Sequence, residues 1–192
     1  MAGKSEQEDN ALIEEVLSGV TEKYRTLVER YQEPSLALAL SVVKDTAEAE
    51  DVLQEAFVKA YKNLARFQGQ SAFSTWLYRI VVNTAYTAAK RQKRRVDFKE
   101  ELTRTSPGHA DTSFQKLTQN ERGERIRGIL QRMKPKEALV LRLFYLGEQS
   151  IPELAQVMDI SQSNAKVLLH RARKSFDKQL DSQLGKEKYD LL

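Results

Sequence analysis

Residues 68–95 read QGQSAFSTWLYRIVVNTAYTAAKRQKRR and contain six cationic side chains, four aromatic side chains and no carboxylate. From Ala72 to Gln92 the segment has neither proline nor glycine, and its apolar residues recur at steps of three and four. This spacing predicts a single amphipathic helix with one face in a core. The predicted core stripe consists of Phe73, Leu77, Ile80, Thr84 and Ala88.

A second face of this predicted helix is polar and basic. At the same helical steps it carries Arg79, Asn83, Tyr86 and Lys90. Arginine and lysine bind phosphates, and an asparagine amide can read a base edge. The pattern favours a DNA-binding surface, although a solvated basic face on an ordinary surface helix is the alternative.

The composition argues against several classes of protein. The chain has 192 residues, of which 41% are hydrophobic and 30% charged, as in soluble proteins with one large domain or two small ones. No apolar run approaches the roughly 18 residues that span a bilayer, and the N-terminus does not resemble a signal peptide. We therefore expect a cytoplasmic protein that does not insert into membranes.

Cysteine is absent, and the only histidines are His109 and His170. Disulfides, thiolate metal sites and histidine-based catalytic clusters are therefore not expected. No set of residues suggests a catalytic centre, a metal site or a cofactor, so the sequence does not predict an enzyme.

The formal net charge of +4 is unevenly distributed. Residues 1–67 carry 13 acidic and eight basic side chains, a net −5, whereas residues 68–95 carry +6. An acidic surface beside a basic one suggests two partners, a protein surface and a nucleic acid.

Helical periodicity runs along the chain and strand signals are weak, which predicts an all-α fold. The first block is predicted to contain five helices: Asn10–Ser18, Glu22–Tyr31, Pro34–Lys44, Ala47–Arg66 and Ala72–Arg95. Asp45 and Ser71 are the predicted N-caps of the last two, because a short side-chain oxygen can accept a bond from an orphan helix amide.

Residues 97–118 lose this periodicity and are rich in Ser, Thr, Pro and Gly, which predicts a flexible linker. The predicted organisation is two small helical domains, 1–96 and 119–184, joined by this linker and followed by a tail, 185–192.

The second block ends in a predicted helix-turn-helix. Pro135 opens a helix that stops at Gly147, Ser150 and Glu153 form a capping box for a short helix, and Ser161 caps a longer basic one. The N-terminal part of such a second helix enters the major groove. Predicted base-facing residues are Gln162, Ser163, Asn164 and Lys166. His170, a turn later, also faces away from the core, but a phosphate or water contact is favoured for it over a base contact. Predicted phosphate contacts are Arg171, Arg173 and Lys174. A helix pair that binds protein is the alternative.

The loop from Phe67 to Ser71 lies before the aromatic residues Phe73 and Trp76. Such a surface suits unpaired bases, which stack on aromatic rings and enter pockets. Because Phe73 and Trp76 are on the apolar stripe, a core position is favoured for both, and Gln68, Gln70, Ser71 and Asn83 are the better candidates for base contacts.

Two groups of motifs now point to a family. The runs AEDVLQEAF (49–57) and AFSTWLYRIVVN (72–83) resemble the promoter-melting domain of extracytoplasmic-function sigma factors. The runs LAQVMDIS (154–161) and HRAR (170–173) resemble their C-terminal domain. Together these similarities cover nearly the whole chain apart from the termini and the linker.

The resemblance implies a bacterial transcription initiation factor that binds core RNA polymerase, at the clamp of the largest subunit and at the flap, and that binds promoter DNA. It implies an acidic clamp-binding helix with Glu48, Glu50, Asp51, Gln54 and Glu55. It also implies minus-ten recognition, for which the candidates are Phe67, Gln68, Gln70, Ser71, Arg79, Asn83, Lys90, Arg91 and Arg94. The helix from Ser161 would read the minus-thirty-five element. An anti-sigma factor, which could hold the protein at the inner membrane face, is a further expected partner.

The chain departs from the family pattern at two places. Leu168 stands where many members carry an arginine in the recognition helix, so the contacted sequence is open. Arg79-Ile80 stands where primary sigma factors carry two tryptophans, which implies a weaker ability to separate the promoter strands. The rival reading is a free-standing helix-turn-helix regulator that binds a palindrome as a dimer. That reading leaves the acidic helix and the basic aromatic segment unexplained.

Overall fold

A computed structural model describes residues 2–102 and 121–184 of the chain. Those residues form eight α-helices and one 3₁₀ turn and contain no strand, which confirms the all-α prediction. The first domain contains α1 Ala2–Leu17, α2 Lys23–Val43, α3 Thr46–Asn63, the 3₁₀ turn Leu64–Arg66 and α4 Phe73–Leu102. The second contains α5 Glu121–Arg132, α6 Pro135–Tyr145, α7 Ile151–Met158 and α8 Gln162–Leu184.

Helix α2 is central to the first domain, where it packs against α1, α3 and α4. Its core side chains Leu27 and Leu38 are fully buried, as is Leu77 of α4. The α4 stripe lies in this core as predicted, with only Ile80 half-buried. Burial of this apolar surface is the main force that holds the helices together.

One polar residue of α1 lies inside this domain. Asp9 is 2% exposed, and its carboxylate accepts hydrogen bonds from Arg30, at 2.5 Å, and from the hydroxyl of Tyr31. A buried carboxylate needs such partners, because desolvation otherwise disfavours its charge. The acidic character of the N-terminal segment therefore serves partly to fix α1 on α2.

The predicted break at Pro34 was wrong, because α2 continues through this residue. Proline lacks an amide hydrogen and clashes with the preceding turn, which costs about 3 kcal/mol in a helix interior. Residues on both sides of it, Leu27 and Tyr31 before and Leu38 after, are buried on one face. We attribute the continuous helix to this shared burial.

The predicted cap Asp45 is confirmed, since its side chain accepts a bond from the amide of Glu48 at 2.9 Å. The predicted cap Ser71 was wrong. Its hydroxyl donates to the carbonyl of Ala72 at 3.4 Å, and that carbonyl accepts the amide of Trp76. Ala72 therefore occupies the N-cap position, and α4 begins one residue later than predicted.

Helix α4 also ends later than predicted, at Leu102, and so covers the first six residues of the predicted linker. Residues 96–102 contain no proline or glycine that would stop a helix. The remainder of the predicted linker and the predicted tail lie outside the described residues.

The second domain contains the predicted helix-turn-helix. The capping box at the start of α7 is present, with the amide of Ser150 donating to Glu153 at 2.7 Å. Asp159 ends α7 in the left-handed conformation, φ 53°, and Ser161 accepts a bond from the amide of Asn164 at 3.2 Å to start α8. The short turn between α7 and α8 is thus formed by the left-handed Asp159 that ends α7 and by the Ser161 cap that starts α8.

The two domains are in contact. Helix α2 packs against α6, and α4 packs against α7. None of the helices in residues 2–102 and 121–184 combines the length and the apolar character that crossing a membrane would require.

Candidate nucleic-acid interface

The predicted basic face of α4 is open to solvent. Arg79, Asn83, Tyr86 and Lys90 are all exposed and lie on the side of α4 opposite the core stripe. Tyr86 is 38% exposed, and partial burial raises the pKa of its hydroxyl. Arg91 and Arg94 continue as exposed cations beyond them. An amide and several cations are therefore available together on one surface.

The loop before α4 rests on an aromatic cluster. The ring of Phe67 is half-buried and lies 5.7 Å from Phe73 and 5.4 Å from Trp76, between centroids. Phe73 is 1% exposed, which confirms its predicted core position, whereas Trp76 is half-buried. The cluster therefore packs beneath the loop and supports it, and little of its aromatic surface is free to stack on a base.

The polar part of this loop is accessible. Gln68 and Gln70 are exposed and joined by an amide hydrogen bond of 2.9 Å. Gly69 between them has φ 66°, a conformation that residues with a Cβ rarely adopt. The loop therefore presents two amide side chains on a tight turn beside the N-terminal end of α4. Ser71, the fourth predicted loop residue, is half-buried.

Helix α3 exposes an acidic face. Glu50, Asp51, Gln54 and Glu55 are exposed, and Glu48 is half-buried near the cap. Glu55 forms an ion pair of 2.7 Å with Lys59, in which both side chains remain nearly half exposed. Such a pair contributes little to stability, so these carboxylates are available to a partner.

Apolar residues that sequence reasoning missed extend this acidic face. Val58 and Tyr61 are 52% and 43% exposed, and with Tyr24 they line a shallow cavity of about 420 Å³. The hydroxyl of Tyr24 donates to the carbonyl of Phe57 at 2.7 Å. The helical spacing from Asp51 through Glu55 to Val58 could have revealed this extension, but the predicted set contained only charged and polar residues.

The N-terminal half of α8 is exposed as predicted. All eight predicted DNA-contacting residues, Gln162, Ser163, Asn164, Lys166, His170, Arg171, Arg173 and Lys174, are exposed. Ala165, Leu169 and Ala172 are buried beneath them. Val167, 49% exposed among these polar neighbours, was missed because only polar residues were considered as base readers.

Arg173 differs from the other exposed cations of α8. Its guanidinium lies over the rings of Phe144 and Tyr145, 5.0 and 5.5 Å from their centroids. A cation–π contact of this kind is worth about 0.5–1 kcal/mol at an exposed site. Arg173 therefore has a packing role in addition to its predicted phosphate role.

A larger groove between the domains was not predicted. It has a volume of about 960 Å³ and is lined by side chains of α2, α3, α5, α6 and α8. Ile126, Tyr145 and Leu146 contribute exposed apolar surface. Arg142 also lines the groove and is only 6% exposed. Sequence periodicity cannot reveal such a groove, because each domain supplies only part of its wall.

These surfaces define a two-domain helical protein with a basic helix beside an exposed polar loop, an acidic helix, and a helix-turn-helix. Family models agree with this division. Residues 27–95 match Sigma-70 region 2, and residues 123–176 match Sigma-70 region 4.

Curated relatives match over nearly their full length. The chain is 32% identical to the RNA polymerase sigma-H factor of Pseudomonas aeruginosa over 94% of this chain and 97% of that protein. It is 34% identical to the ECF RNA polymerase sigma-E factor of Escherichia coli (strain K12) over 88% of this chain and 92% of that protein. The chain belongs to the extracytoplasmic-function (ECF) family of RNA polymerase sigma factors.

Solved structures share the fold. CnrH in complex with the cytosolic domain of CnrY matches with a TM-score of 0.64 and 23% identity, covering 91% of this chain and 98% of CnrH. The sigma factor RpoE of Bartonella quintana, in complex with the anti-sigma factor NepR, matches with a TM-score of 0.66 and 18% identity, covering 84% and 99%.

Proposed function

We propose that this chain binds core RNA polymerase and directs promoter-specific initiation of transcription. The observation that carries the proposal is that one chain presents two separate exposed surfaces of basic and polar side chains, on α4 with its preceding loop and on α8, together with an acidic helix face. The family membership supports this assignment. We assign the protein no catalytic residue, cofactor or metal.

The first domain, residues 1–96, is proposed to melt and capture the minus-ten element. Gln68 and Gln70 on the tight loop would meet an unpaired base, with Asn83 contributing an amide from the adjacent helix face. Arg79, Lys90, Arg91 and Arg94 carry the charge that phosphates require. The nearly complete burial of Phe73 supports a fixed loop, because the loop residue Phe67 packs on it.

The second domain, residues 119–184, is proposed to read the minus-thirty-five element as duplex DNA through α8. Its exposed polar N-terminal residues suit base edges, and the later cations suit phosphates. Val167 adds an apolar side chain of the kind that can contact a thymine methyl group.

The acidic face of α3 is proposed to bind the clamp of the polymerase largest subunit, and the second domain to meet the flap. The linker, residues 97–118 of the predicted division, would pass between these contacts. An anti-sigma factor is the proposed regulatory partner, because the two structural neighbours described above were each solved in complex with a second protein, and one of these second proteins is an anti-sigma factor. A partner of this kind should co-elute with the free chain and compete with core polymerase. The proposed location is cytoplasmic, with sequestration at the inner membrane face by that partner.

The decisive experiment is transcription in vitro with purified core polymerase on a promoter library randomised at both elements. We expect the chain to select a defined pair of elements that core polymerase alone does not select. A free-standing dimeric regulator would bind a palindrome without polymerase and would not co-elute with core on a sizing column.

Asn83→Ala should reduce the preference for the favoured base at one minus-ten position. The expected loss in open-complex stability on that base is about 1–3 kcal/mol, the usual size of a lost base contact. The substitution removes the amide that faces solvent on α4. The measurement is promoter-complex affinity on a minus-ten library. Asn10→Ala, which removes an exposed asparagine on α1, is a matched control that should leave the preferences unchanged. An equal loss on all sequences would indicate a structural role for Asn83.

Substitutions in α8 should cause two kinds of defect in promoter binding. Lys166→Ala or Asn164→Ala should change which minus-thirty-five sequences are preferred, because these side chains lie in the first turns of α8. Arg173→Ala should weaken binding to all minus-thirty-five sequences similarly. It should also reduce the slope of log affinity against log salt concentration by about one unit.

Binding of the reconstituted holoenzyme across a salt series measures both effects. Because Arg173 also stacks on Phe144 and Tyr145, Arg171→Ala is the matched control for charge loss without that stacking. A sequence-selective defect from Arg171→Ala, with a uniform defect from Lys166→Ala, would contradict the proposed orientation of α8 on DNA.

A further inference from the structure

Helix α1 places a buried carboxylate next to the aromatic cluster beneath the predicted minus-ten loop. The two oxygens of Asp9 have different partners on α2. One accepts a hydrogen bond from Arg30, and the other accepts one from the hydroxyl of Tyr31. Arg30 is only half-buried and also pairs with the exposed Glu8 at 3.1 Å, so this contact lies near the surface. The bond to Tyr31 is buried, and that side of the carboxylate therefore faces the domain core.

The hydroxyl of Tyr31 is a lasting donor to this carboxylate. Burial, together with the hydrogen bond to Asp9 and the charge of Asp9, raises the pKa of the Tyr31 hydroxyl well above its ordinary value. Tyr31 therefore keeps its proton at neutral pH. A hydrogen bond to an ionised acceptor is about twice as strong as one between neutral groups. Because the hydroxyl is the only polar group of the side chain, this bond fixes the direction of the Tyr31 ring.

The ring of Tyr31 is connected to the loop through two further rings. It lies edge-to-face against Phe73, with centroids 5.5 Å apart and planes at 63°. Phe73 lies edge-to-face against Phe67, at 5.7 Å and 86°. Phe67 directly precedes the polar turn, residues 68–70. In edge-to-face packing the tilt of one ring depends on its neighbour, and close-packed interiors transmit strain. The position of the turn therefore depends on the Asp9–Tyr31 bond.

Attachment of α1 to α2 does not by itself require a buried carboxylate. Ile13 and Val16 of α1 are 4% and 7% exposed and already attach the helix through the core. Burying a charge is costly, and well-packed apolar side chains often replace a buried ion pair without loss of stability. The carboxylate of Asp9 supplies what an apolar side chain cannot, a directed bond that orients the ring of Tyr31.

We infer that Asp9 is a positioning residue for the minus-ten loop and acts through the rings of Tyr31 and Phe73. It holds the polar turn, residues 68–70, in the place where an unpaired base binds. Asp9 is too deeply buried to touch DNA, so helix α1 contributes to promoter recognition only through this packing. The role in recognition rests on the proposed function, whereas the connection from Asp9 to the loop rests on the geometry alone.

The connection can be tested in the free chain by the fluorescence of Trp76, the single tryptophan. Its ring lies 5.4 Å from Phe67 and 5.7 Å from Phe73, so it senses the packing of the cluster. Tyr31→Phe keeps the ring and removes the hydroxyl. We expect stronger quenching of Trp76 by acrylamide and an emission maximum at longer wavelength, with the helix content by circular dichroism unchanged. Asp9→Ala should cause the same changes.

Tyr24→Phe is the matched control, because it removes the same group from the same helix. The hydroxyl of Tyr24 donates to the carbonyl of Phe57 at 2.7 Å, and its ring packs on Tyr61, outside the cluster. This substitution should leave the quenching of Trp76 unchanged.

Two further variants separate positioning from the attachment of α1. Arg30→Gln removes the ion pair but leaves the bond between Asp9 and Tyr31, so it should lower the urea midpoint without changing the quenching of Trp76. Asp9→Asn keeps a side-chain oxygen that can accept from Tyr31, so it should restore most of the quenching behaviour of the parent. If Asp9→Ala loses helix content, Tyr31→Phe and Asp9→Asn decide the question.

The role in recognition is tested by transcription in vitro with core polymerase on a promoter library randomised at both elements. Tyr31→Phe and Asp9→Ala should each reduce the preference for the favoured base at one minus-ten position by roughly three- to tenfold, a part of the discrimination that one good base contact supplies. The minus-thirty-five preference should stay as in the parent, which provides an internal control. Tyr24→Phe should alter neither preference.

Unchanged quenching in both Tyr31→Phe and Asp9→Ala, or an equal change in Tyr24→Phe, would overturn the connection between Asp9 and the loop. Changed quenching with an unaltered minus-ten preference would overturn the positioning role. If the parent chain directed no initiation, the proposed function would be refuted and the recognition role of Asp9 with it, while the quenching would still decide whether Asp9 orders the aromatic cluster.

Discussion

Replacing both Asp51 and Glu55 with lysine should abolish co-elution with core RNA polymerase. Both side chains are exposed on the acidic face of α3, and neither contributes to the core of the first domain. Reversing two charges in an electrostatically matched interface replaces attraction by repulsion, which costs several kcal/mol. Sizing chromatography of the chain with core polymerase measures the effect.

The fold should survive this change. Glu55 loses only an exposed ion pair with Lys59, and pairs of this type contribute about 0–1 kcal/mol. The control is Glu14→Lys with Glu29→Lys, which changes the net charge equally on α1 and α2. Glu29 also loses an exposed ion pair at 2.7 Å, with Arg25. Retained core binding by the α3 variant, or equal loss in both variants, would contradict the assignment of α3 as the specific docking surface.

Phe73→Ala should destabilise the first domain by about 3–5 kcal/mol, the usual cost of truncating a buried aromatic side chain. Phe73 is among the largest fully buried side chains, and its ring contacts those of Tyr31, Phe67 and Trp76 at centroid distances of 5.5–5.7 Å. Truncation would leave a cavity beneath the predicted minus-ten loop. We therefore expect a lower free energy of unfolding and a less firmly positioned loop.

Urea denaturation followed by the fluorescence of Trp76, the single tryptophan, measures this loss in the first domain. Tyr86→Ala on the same helix is the control. Because Tyr86 is 38% exposed, its truncation should cost much less. Similar costs for the two substitutions would show that the aromatic cluster does not hold the domain together.

The sequence alone predicted most of the local structure. Asp45, Ser150 and Ser161 cap helices as expected, because capping depends on residues within one helical turn of each other. The faces of α4 and α8 were also predicted correctly, since an amphipathic period specifies which side chains share a surface. The residues of α4 and α8 proposed to bind DNA lie on these faces and were therefore accessible to sequence reasoning. The residues proposed to bind polymerase lie on α3, and only the family resemblance implied their role.

Tertiary structure decided what depends on distant residues. Pro34 lies inside a helix because burial on both sides of it outweighs the local penalty. Asp9 is buried because Arg30 and Tyr31 reach it from another helix. The groove takes its walls from both domains, and the hydrogen bonds that join the domains connect residues 74 to 101 positions apart. Periodicity reports which side of a helix is apolar, whereas only the packed chain determines what that side meets.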